Sequence, residues 1–234
     1  MTIRGILFDK DGTLIAVNQT WVPVYRRLLA DMFGADENGI DALMARAGYD
    51  ALAASFRPGS ILAAGTTRQL IDIWWPGLDA AGVAAKLRVI DHDYAPLARA
   101  ALTPLMPLDP ILLELRSLGL RLGIATNDTH TSARAHMDRL GITDHFENII
   151  GADSVETPKP SGDMIRHFAA CTGLAESEIA MVGDNSHDME EARHGGAGLA
   201  IAVLSGNATH ADIAHLADHT IASVADLATI LRSL

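Results

Sequence analysis

Short apolar runs along the chain alternate with longer segments in which apolar residues recur at helical spacing. Six runs are short enough to be buried strands. They cover residues 5–8, 120–125, 148–150, 179–182, 198–203 and 220–221. Helical spacing between them covers residues 110–118, 131–140, 161–172 and 186–194. This alternation predicts an α/β fold with a doubly wound, Rossmann-like parallel sheet.

One long interval departs from this alternation. Residues 15–103 contain no convincing strand, and apolar residues recur there at helical spacing in four segments. Those segments are 21–33, 39–47, 61–74 and 83–102. Pro104 and Pro107 mark the return to the alternating pattern. We therefore predict an all-helical cap domain at 15–103, inserted into an α/β core made of 1–14 and 104–234.

Composition and charge limit the classes of partner. The 234 residues are 49% apolar and include 18 Lys and Arg against 29 Asp and Glu, for a formal charge of −11. This charge disfavours nucleic acid and anionic membrane surfaces. The single cysteine, Cys171, suits a reducing compartment, and no segment has the pattern of a signal peptide or a membrane span. We expect a cytoplasmic protein, monomeric or homodimeric, that binds neither nucleic acid nor membrane.

Two carboxylates follow the first predicted strand, in the sequence Asp9-Lys10-Asp11-Gly12-Thr13-Leu14. The carboxyl ends of parallel strands form the ligand-binding edge of such sheets. An Asp-Gly pair is also common in simple turns. This motif is therefore moderately specific when taken alone.

Three further polar motifs follow other predicted strands. They are Thr126-Asn127-Asp128, Thr157-Pro158-Lys159-Pro160 and Gly183-Asp184-Asn185-Ser186-His187-Asp188. All four motifs should meet at one edge of a parallel sheet. This convergence is stronger evidence for a functional site than any single motif.

With these four motifs in this order, the chain resembles the haloacid dehalogenase-like hydrolase superfamily, and within it the helical-cap phosphoglycolate phosphatase-like and beta-phosphoglucomutase-like group. The resemblance covers the whole chain. It implies a Mg²⁺-dependent phosphatase that hydrolyses a small, 2-phosphoglycolate-like phosphomonoester through an aspartyl-phosphate intermediate. Two alternatives stay open: a sugar-phosphate mutase of the same superfamily, and a non-catalytic phospho-ligand-binding or receiver-like module.

The chemistry of phosphoryl transfer assigns roles to five of these residues. Asp9 is the candidate nucleophile that attacks phosphorus. Asp11 would protonate the leaving alcohol and later take a proton from water. Thr126 offers a hydroxyl and Asn127 a backbone N–H to the phosphoryl group, and Lys159 supplies a fixed positive charge. The Asp at position 11 favours phosphoryl transfer over halide displacement, since an alkoxide needs a proton.

A hard cation is needed to bring a phosphate dianion close to these carboxylates, and Mg²⁺ suits oxygen ligands. Asp9 and Asp184 are the candidate side-chain ligands, and the resemblance adds the backbone carbonyl of Asp11. Asp188 either binds the metal or orients a ligand. The sequence therefore predicts a magnesium site at the acidic edge of the sheet.

Selection of the substrate should come from the insert. Arg57 lies in the segment 55–60, which has the composition of a loop, and its guanidinium could bind a substrate carboxylate. A solvated surface arginine is the alternative. Lys86, the only lysine of the insert, has the spacing of a helix surface position, which disfavours Schiff-base chemistry. His187 could touch substrate or be exposed.

Overall fold

The computed structural model describes residues 2–233, which form eight strands and twelve α-helices. The strands are β1 (Gly5–Phe8), β2 (Tyr49–Asp50), β3 (Ser55–Phe56), β4 (Arg121–Ala125), β5 (Asn148–Ile150), β6 (Ile179–Gly183), β7 (Leu199–Val203) and β8 (His219–Ile221). The helices are α1 (Val17–Phe33), α2 (Glu37–Ala47), α3 (Ile61–Ala64), α4 (Thr67–Trp74), α5 (Ala80–Val89), α6 (Ala95–Ala101), α7 (Leu108–Ser117), α8 (His130–Leu140), α9 (Asp163–Thr172), α10 (Ser186–Gly195), α11 (His210–Ile213) and α12 (Leu227–Ser233).

Six of these strands form one parallel sheet in the order β5-β4-β1-β6-β7-β8. The predicted α/β fold is thereby confirmed. Helices α7, α8 and α12 pack on one face of the sheet, and α9, α10 and α11 pack on the other. Strand β1 is buried throughout, because Ile6 and Phe8 enter the first layer and Leu7 enters the second. No helix within residues 2–233 is long and apolar enough to cross a membrane.

The segment between β1 and β4 is mostly helical and has its own core, which includes Leu28, Met44 and Trp74. It differs from the predicted all-helical insert in one respect, because β2 and β3 form a small antiparallel sheet. Two residues per strand give too short an alternation to be recognised in the sequence. The loop predicted at 55–60 accordingly begins in a strand.

The helix predicted over 61–74 is divided into α3 and α4. The chain leaves the helix at Gly65, whose backbone is extended; glycine fits there because a Cβ would lie 2.7 Å from Cγ2 of Ile61 and 2.8 Å from its carbonyl oxygen. Thr66 and Gln69 then form a capping box that starts α4. The break places the backbone of residues 64–65 at the cavity described below.

The chain enters and leaves the insert along paired backbone. Ala16 N–H donates to Thr103 O at 2.8 Å, and Leu105 N–H donates to Leu14 O at 3.0 Å. Ile15 forms an isolated antiparallel bridge with Pro104. The two connections therefore run side by side next to the carboxyl end of β1.

Candidate active site

The carboxyl ends of three adjacent strands deliver the predicted polar residues to one point. Asp9 follows β1, Thr126 follows β4 and Asp184 follows β6, and the sheet order places β1 between the other two. The N–H of Asp9 continues the ladder by donating to Val182 O at 2.8 Å. The sheet topology is thus what brings together motifs more than 100 residues apart.

Lys159 reaches this point from the loop between β5 and α9. Its Nζ donates to Oδ1 of Asp9 and to Oδ1 of Asp188, both at 2.6 Å, and all three side chains are buried. Burial alone would lower the pKa of Lys159, but the charges of Asp188 and Asp9 outweigh it and raise the pKa above its usual range. Lys159 is therefore a fixed cation between two carboxylates.

Asp9, Asp184 and Asp188 form a buried acidic cluster in which one ligand atom from each lies within 4.8 Å of the others. Burial raises the pKa of Asp9 to about 7, with Lys159 opposing this shift and Asp188 and Asp11 adding to it. Burial and the charges of Asp9 and Asp188 raise the pKa of Asp184 well above its usual value. Three carboxylates and one lysine leave this cluster short of positive charge.

Two glycines allow backbone to pack directly against Asp184. A Cβ at Gly12, whose φ is +88°, would lie 2.4 Å from Oδ2 of Asp184, and a Cβ at Gly206 would lie 1.7 Å from the same atom. Only glycine permits these approaches. The oxygen set, its burial and its excess negative charge fit a hard divalent cation such as Mg²⁺.

Asp188 uses both of its carboxylate oxygens within the protein. Oδ1 accepts from Lys159, and Oδ2 accepts from the N–H of Asn185 at 3.0 Å. These two contacts orient the lysine and the start of α10. Asp188 also lies within the acidic cluster, so both roles predicted for it, binding the metal and orienting a ligand, stay predictions.

Thr126 and Asn127 line the same cavity on the β4 side. The side chain of Asn127 donates to Ala64 O at 2.8 Å and to Lys159 O at 3.2 Å. It therefore ties the core to the break between α3 and α4. Within residues 2–233, Oδ1 of Asn127, Nδ2 of Asn185 and Nδ1 of His187 are buried without a hydrogen-bond partner, and all three residues line the cavity. Such atoms suit a polar ligand.

Both oxygens of the Asp11 carboxylate are engaged. Oδ2 accepts from Nζ of Lys10, and Oδ1 accepts from Nε1 of Trp21 at 2.7 Å. Burial would raise the pKa of Asp11, but the charge and hydrogen bond of Lys10 and the hydrogen bond of Trp21 outweigh it, so the pKa lies below its usual range. Asp11 is therefore held in its ionised form.

Lys10 is a functional neighbour that the sequence analysis did not identify. It is fully buried, its Nζ lies 3.5 Å from Asp128 and 3.4 Å from Nδ1 of His136, and it sits 5.3 Å from the ring centre of Trp21. Burial and the charge of Lys10 lower the pKa of His136 to about 4. The sequence feature that could have identified it is a lysine two residues after a fully apolar strand, because a charge buried there needs partners.

A cavity lies over these groups, and the insert forms its far side. The core side of its wall contains Asp9, Asp11, Thr126, Asn127, Lys159, Asp184 and Asp188. The insert side is formed by the start of α1, by α3 and by the first turn of α4. The structure thus brings seven of the eight predicted site residues to one cavity.

Arg57 is the exception, and its predicted position needs correction. It is exposed, its Nη2 donates to Ala45 O at 2.9 Å, and it does not line the cavity. The backbone of Arg57 also donates to Gly48 O, which holds the segment against the end of α2. Lys86 lies 4.6 Å from the ring centre of Trp75, away from the cavity.

Comparison with known proteins places these motifs in context. The model of the haloacid dehalogenase-like hydrolase family matches residues 3–196. A phosphoglycolate phosphatase of Chromobacterium violaceum is 38% identical over 120 residues, which are 51% of this chain and 52% of that protein. The chain thus matches only about half the length of this relative. The phosphoglycolate phosphatase of Rhodospirillum rubrum is 27% identical over 206 residues, or 86% of this chain and 79% of that protein.

The fold is also similar to solved structures. The crystal structure of a predicted phosphoglycolate phosphatase from Haemophilus somnus superposes with a TM-score of 0.75 at 19% identity, covering 98% of each chain. At this identity the likeness concerns the fold alone.

Proposed function

The chain belongs to the haloacid dehalogenase-like hydrolase family, and on this premise we propose that it hydrolyses a phosphomonoester with Asp9 as the nucleophile. The observation that carries the proposal is the buried Asp9 carboxylate, which accepts a hydrogen bond from Lys159 at 2.6 Å beside the Asp184 carboxylate. A fixed cation orients the attacking oxygen and offsets charge on the phosphoryl group.

Hydrolysis then proceeds in two displacements at phosphorus. An oxygen of Asp9 forms a bond to phosphorus while the bond to the alcohol oxygen breaks, which leaves an aspartyl phosphate and an alcohol. Water then attacks the same phosphorus, releases phosphate and restores the Asp9 carboxylate. Thr126 and the backbone N–H of Asn127 would donate to the phosphoryl oxygens in both steps.

Asp11 would move the proton in each displacement. It would give a proton to the leaving alcohol and take one from the attacking water. In this structure the Asp11 carboxylate is ionised and both of its oxygens accept from Lys10 and Trp21, so this role requires it to leave those donors and take up a proton from solvent before the first displacement. The proton that it gives to the alcohol is then replaced by the one that it takes from the attacking water. The insert residue Trp21 thus couples the position of Asp11 to the insert, which we propose acts as a cap domain over residues 15–103.

We further propose that Mg²⁺ is the cofactor, held by the side chains of Asp9 and Asp184 with the backbone carbonyl of Asp11. When bound, Mg²⁺ would offset the repulsion between the carboxylates and a phosphate dianion. The chain's own contribution is to keep the carboxylates close together and to exclude bulk water by burial. Asp188 then serves to position Lys159.

The experiment is a phosphate-release assay on p-nitrophenyl phosphate with Mg²⁺, combined with mass spectrometry of acid-quenched protein. We expect turnover, one added phosphoryl group located on Asp9, and loss of both in Asp9→Asn with normal folding. Turnover of Asp9→Asn within about tenfold of the parent would contradict the assignment, since a missing nucleophile removes far more than 1.4 kcal/mol of transition-state stabilisation. Phosphate release into solution also distinguishes a phosphatase from a mutase or a binding module.

The names of the Chromobacterium and Rhodospirillum relatives make 2-phosphoglycolate the first compound to test as substrate. Among residues 2–233, however, the insert side of the cavity presents no charged side chain to the carboxylate of this compound.

A further inference from the structure

The insert side of the cavity carries no charged side chain among residues 2–233. Its lining side chains are apolar or aromatic apart from the hydroxyl of Thr67, and they include Val17, Trp21, Tyr25, Leu62 and Leu70. The phosphoryl group must lie at the core side, next to Asp9 and Lys159. The alcohol portion of a substrate therefore faces this apolar wall.

None of the eight lysine and arginine residues of the insert lines the cavity. Six of them have partners within the insert. These are Arg26 with Glu37 and Asp41, Arg27 with Asp31, Arg46 with Ile73 O, Arg57 with Ala45 O, Arg68 with Asp72, and Lys86 with Trp75. Arg88 and Arg99 are exposed. The insert thus offers no cation to a negatively charged leaving group.

Over the described part of the chain, the core lines the cavity with no arginine, and its two buried lysines are already paired with carboxylates. Lys159 contacts Asp9 and Asp188, and Lys10 contacts Asp11 and Asp128. His187 also lines the cavity and offers ring nitrogen Nδ1 for a hydrogen bond. A carboxylate on the leaving group would instead approach Asp11 and Asp128, which both line the cavity. Burying an unpaired carboxylate beside like charges is unfavourable.

A second cavity adjoins the first, and most of its lining side chains are apolar or aromatic; Asp91, Asp128 and Ser132 are polar members of the lining. The two share the side chains of Trp21, Tyr25 and Leu70. The rings of Trp21 and Tyr25 are stacked with centres 5.4 Å apart, and Trp74 and Tyr94 also line the second cavity. A flat apolar group would find aromatic surface along this path.

We propose that the substrate is a phosphomonoester whose alcohol portion is uncharged and carries an aromatic or other apolar group that packs against Trp21 and Tyr25. This rests on the proposed phosphatase function and narrows its substrate class. It excludes 2-phosphoglycolate as the preferred substrate.

The test uses two pairs of esters that each differ by a carboxylate. The first pair is benzyl phosphate and 4-carboxybenzyl phosphate, and the second is 2-hydroxyethyl phosphate and 2-phosphoglycolate. With Mg²⁺ present, we expect kcat/KM of the uncharged member to be higher in both pairs by at least about tenfold, since the carboxylate loses hydration without gaining a cation. We also expect kcat/KM to be higher for benzyl phosphate than for 2-hydroxyethyl phosphate.

A charge introduced at Thr67 checks that the wall causes this preference. Thr67 is the first residue of α4 and lines both cavities. Thr67→Lys should raise the ratio of kcat/KM for 4-carboxybenzyl over benzyl phosphate by more than about tenfold, the lower end of the range for a charged hydrogen bond. Thr67→Met, of similar length without the charge, should not raise that ratio.

The outcomes separate the two proposals. Phosphate release with equal or higher kcat/KM for the carboxylated esters would overturn this inference and leave the phosphatase function standing. A ratio that rises equally in Thr67→Lys and Thr67→Met would also overturn it. Absence of release from all four esters and from p-nitrophenyl phosphate would overturn the phosphatase function itself, and this inference with it.

Discussion

Replacing Lys10 by methionine removes the one positive charge from a buried polar cluster between the core and the insert. Nζ of Lys10 pairs with Asp11 and lies 3.5 Å from Asp128. Methionine retains a flexible chain of similar length, so the change removes charge and hydrogen-bond donors more than packing. We expect a less stable folded state, because two carboxylates are then left close together without a cation.

The size of this loss follows from the burial of the groups. Removing one partner of a buried ion pair costs about 3–5 kcal/mol, because the remaining charge stays buried without compensation. The side chains of Asp11 and Asp128 are 17% and 10% exposed, so water hydrates them in part. The lower end of the range applies, and Lys10→Met should lower the free energy of unfolding by about 3 kcal/mol.

The assay is urea denaturation at pH 7 followed by circular dichroism. Lys86→Met is the control, because its cation lies over the ring of half-buried Trp75 and contributes about 0.5–1 kcal/mol. The double variant Lys10→Met/Asp11→Asn also removes the charge of Asp11, the carboxylate that Lys10 pairs with. The decrease in its free energy of unfolding should therefore be smaller than the sum of the decreases in the two single variants by at least about 1 kcal/mol.

Two results would refute this reasoning. One is a loss for Lys10→Met no larger than that for Lys86→Met. The other is additivity of the Lys10 and Asp11 changes, which would mean that the two side chains do not interact energetically.

Three further predictions concern the metal, a buried histidine and a buried glutamate. Chelation should abolish turnover and added Mg²⁺ should restore it, whereas Ca²⁺ should inhibit because of its longer bonds and looser geometry; full activity in excess chelator would contradict a metal requirement. The pKa of His136 is about 4, against 6.5 for a free imidazole, so as the pH falls this histidine binds a proton in the unfolded chain before it does so in the folded protein. The free energy of unfolding should therefore drop by up to about 3 kcal/mol between pH 6.5 and pH 4. An NMR titration of His136 with a midpoint above pH 6 would disprove this. The carboxylate of Glu191 accepts from the N–H groups of Gly162 and Met164 at the start of α9, so Glu191→Gln should lower the free energy of unfolding by about 2 kcal/mol in urea denaturation. Glu190→Gln on the same helix should change it by less than about 0.5 kcal/mol. Equal effects of the two substitutions would contradict a stabilising role for the Glu191 carboxylate at the start of α9.

The core of the fold was predictable because its strands are buried on both faces. Such strands form continuous apolar runs, and the runs predicted at 5–8 and 148–150 coincide with β1 and β5. In a parallel sheet the carboxyl ends of all strands lie at one edge, so the sequence alone predicts that Asp9, after β1, and Asp184, after β6, lie close together. The site residues carried by strand ends were therefore accessible from the sequence.

The insert was less predictable because its local signals are short. The chain breaks between α3 and α4 at Gly65, where a Cβ would clash with Ile61. The helical spacing of apolar residues continues across this break. The sheet of β2 and β3 has two residues per strand. Periodicity averages over longer windows, so neither feature could be detected.

The positions of charged side chains were the least predictable part of the site. Arg57 has the sequence context of a flexible loop, yet its backbone pairs with Gly48 and its guanidinium with Ala45 O, so it is held away from the cavity. Lys10 has the context of an exposed lysine in an acidic motif, yet it is fully buried. In both cases a partner elsewhere in the fold helps to fix the position of the side chain. Arg57 contacts Ala45 O on α2, and Lys10 contacts Asp128 after β4, and neither contact can be predicted from the local sequence. For the same reason the sequence does not predict that the insert side of the cavity lacks a free cation, or the preference for an uncharged leaving group that we expect from it, because both depend on where each basic side chain lies in the folded chain.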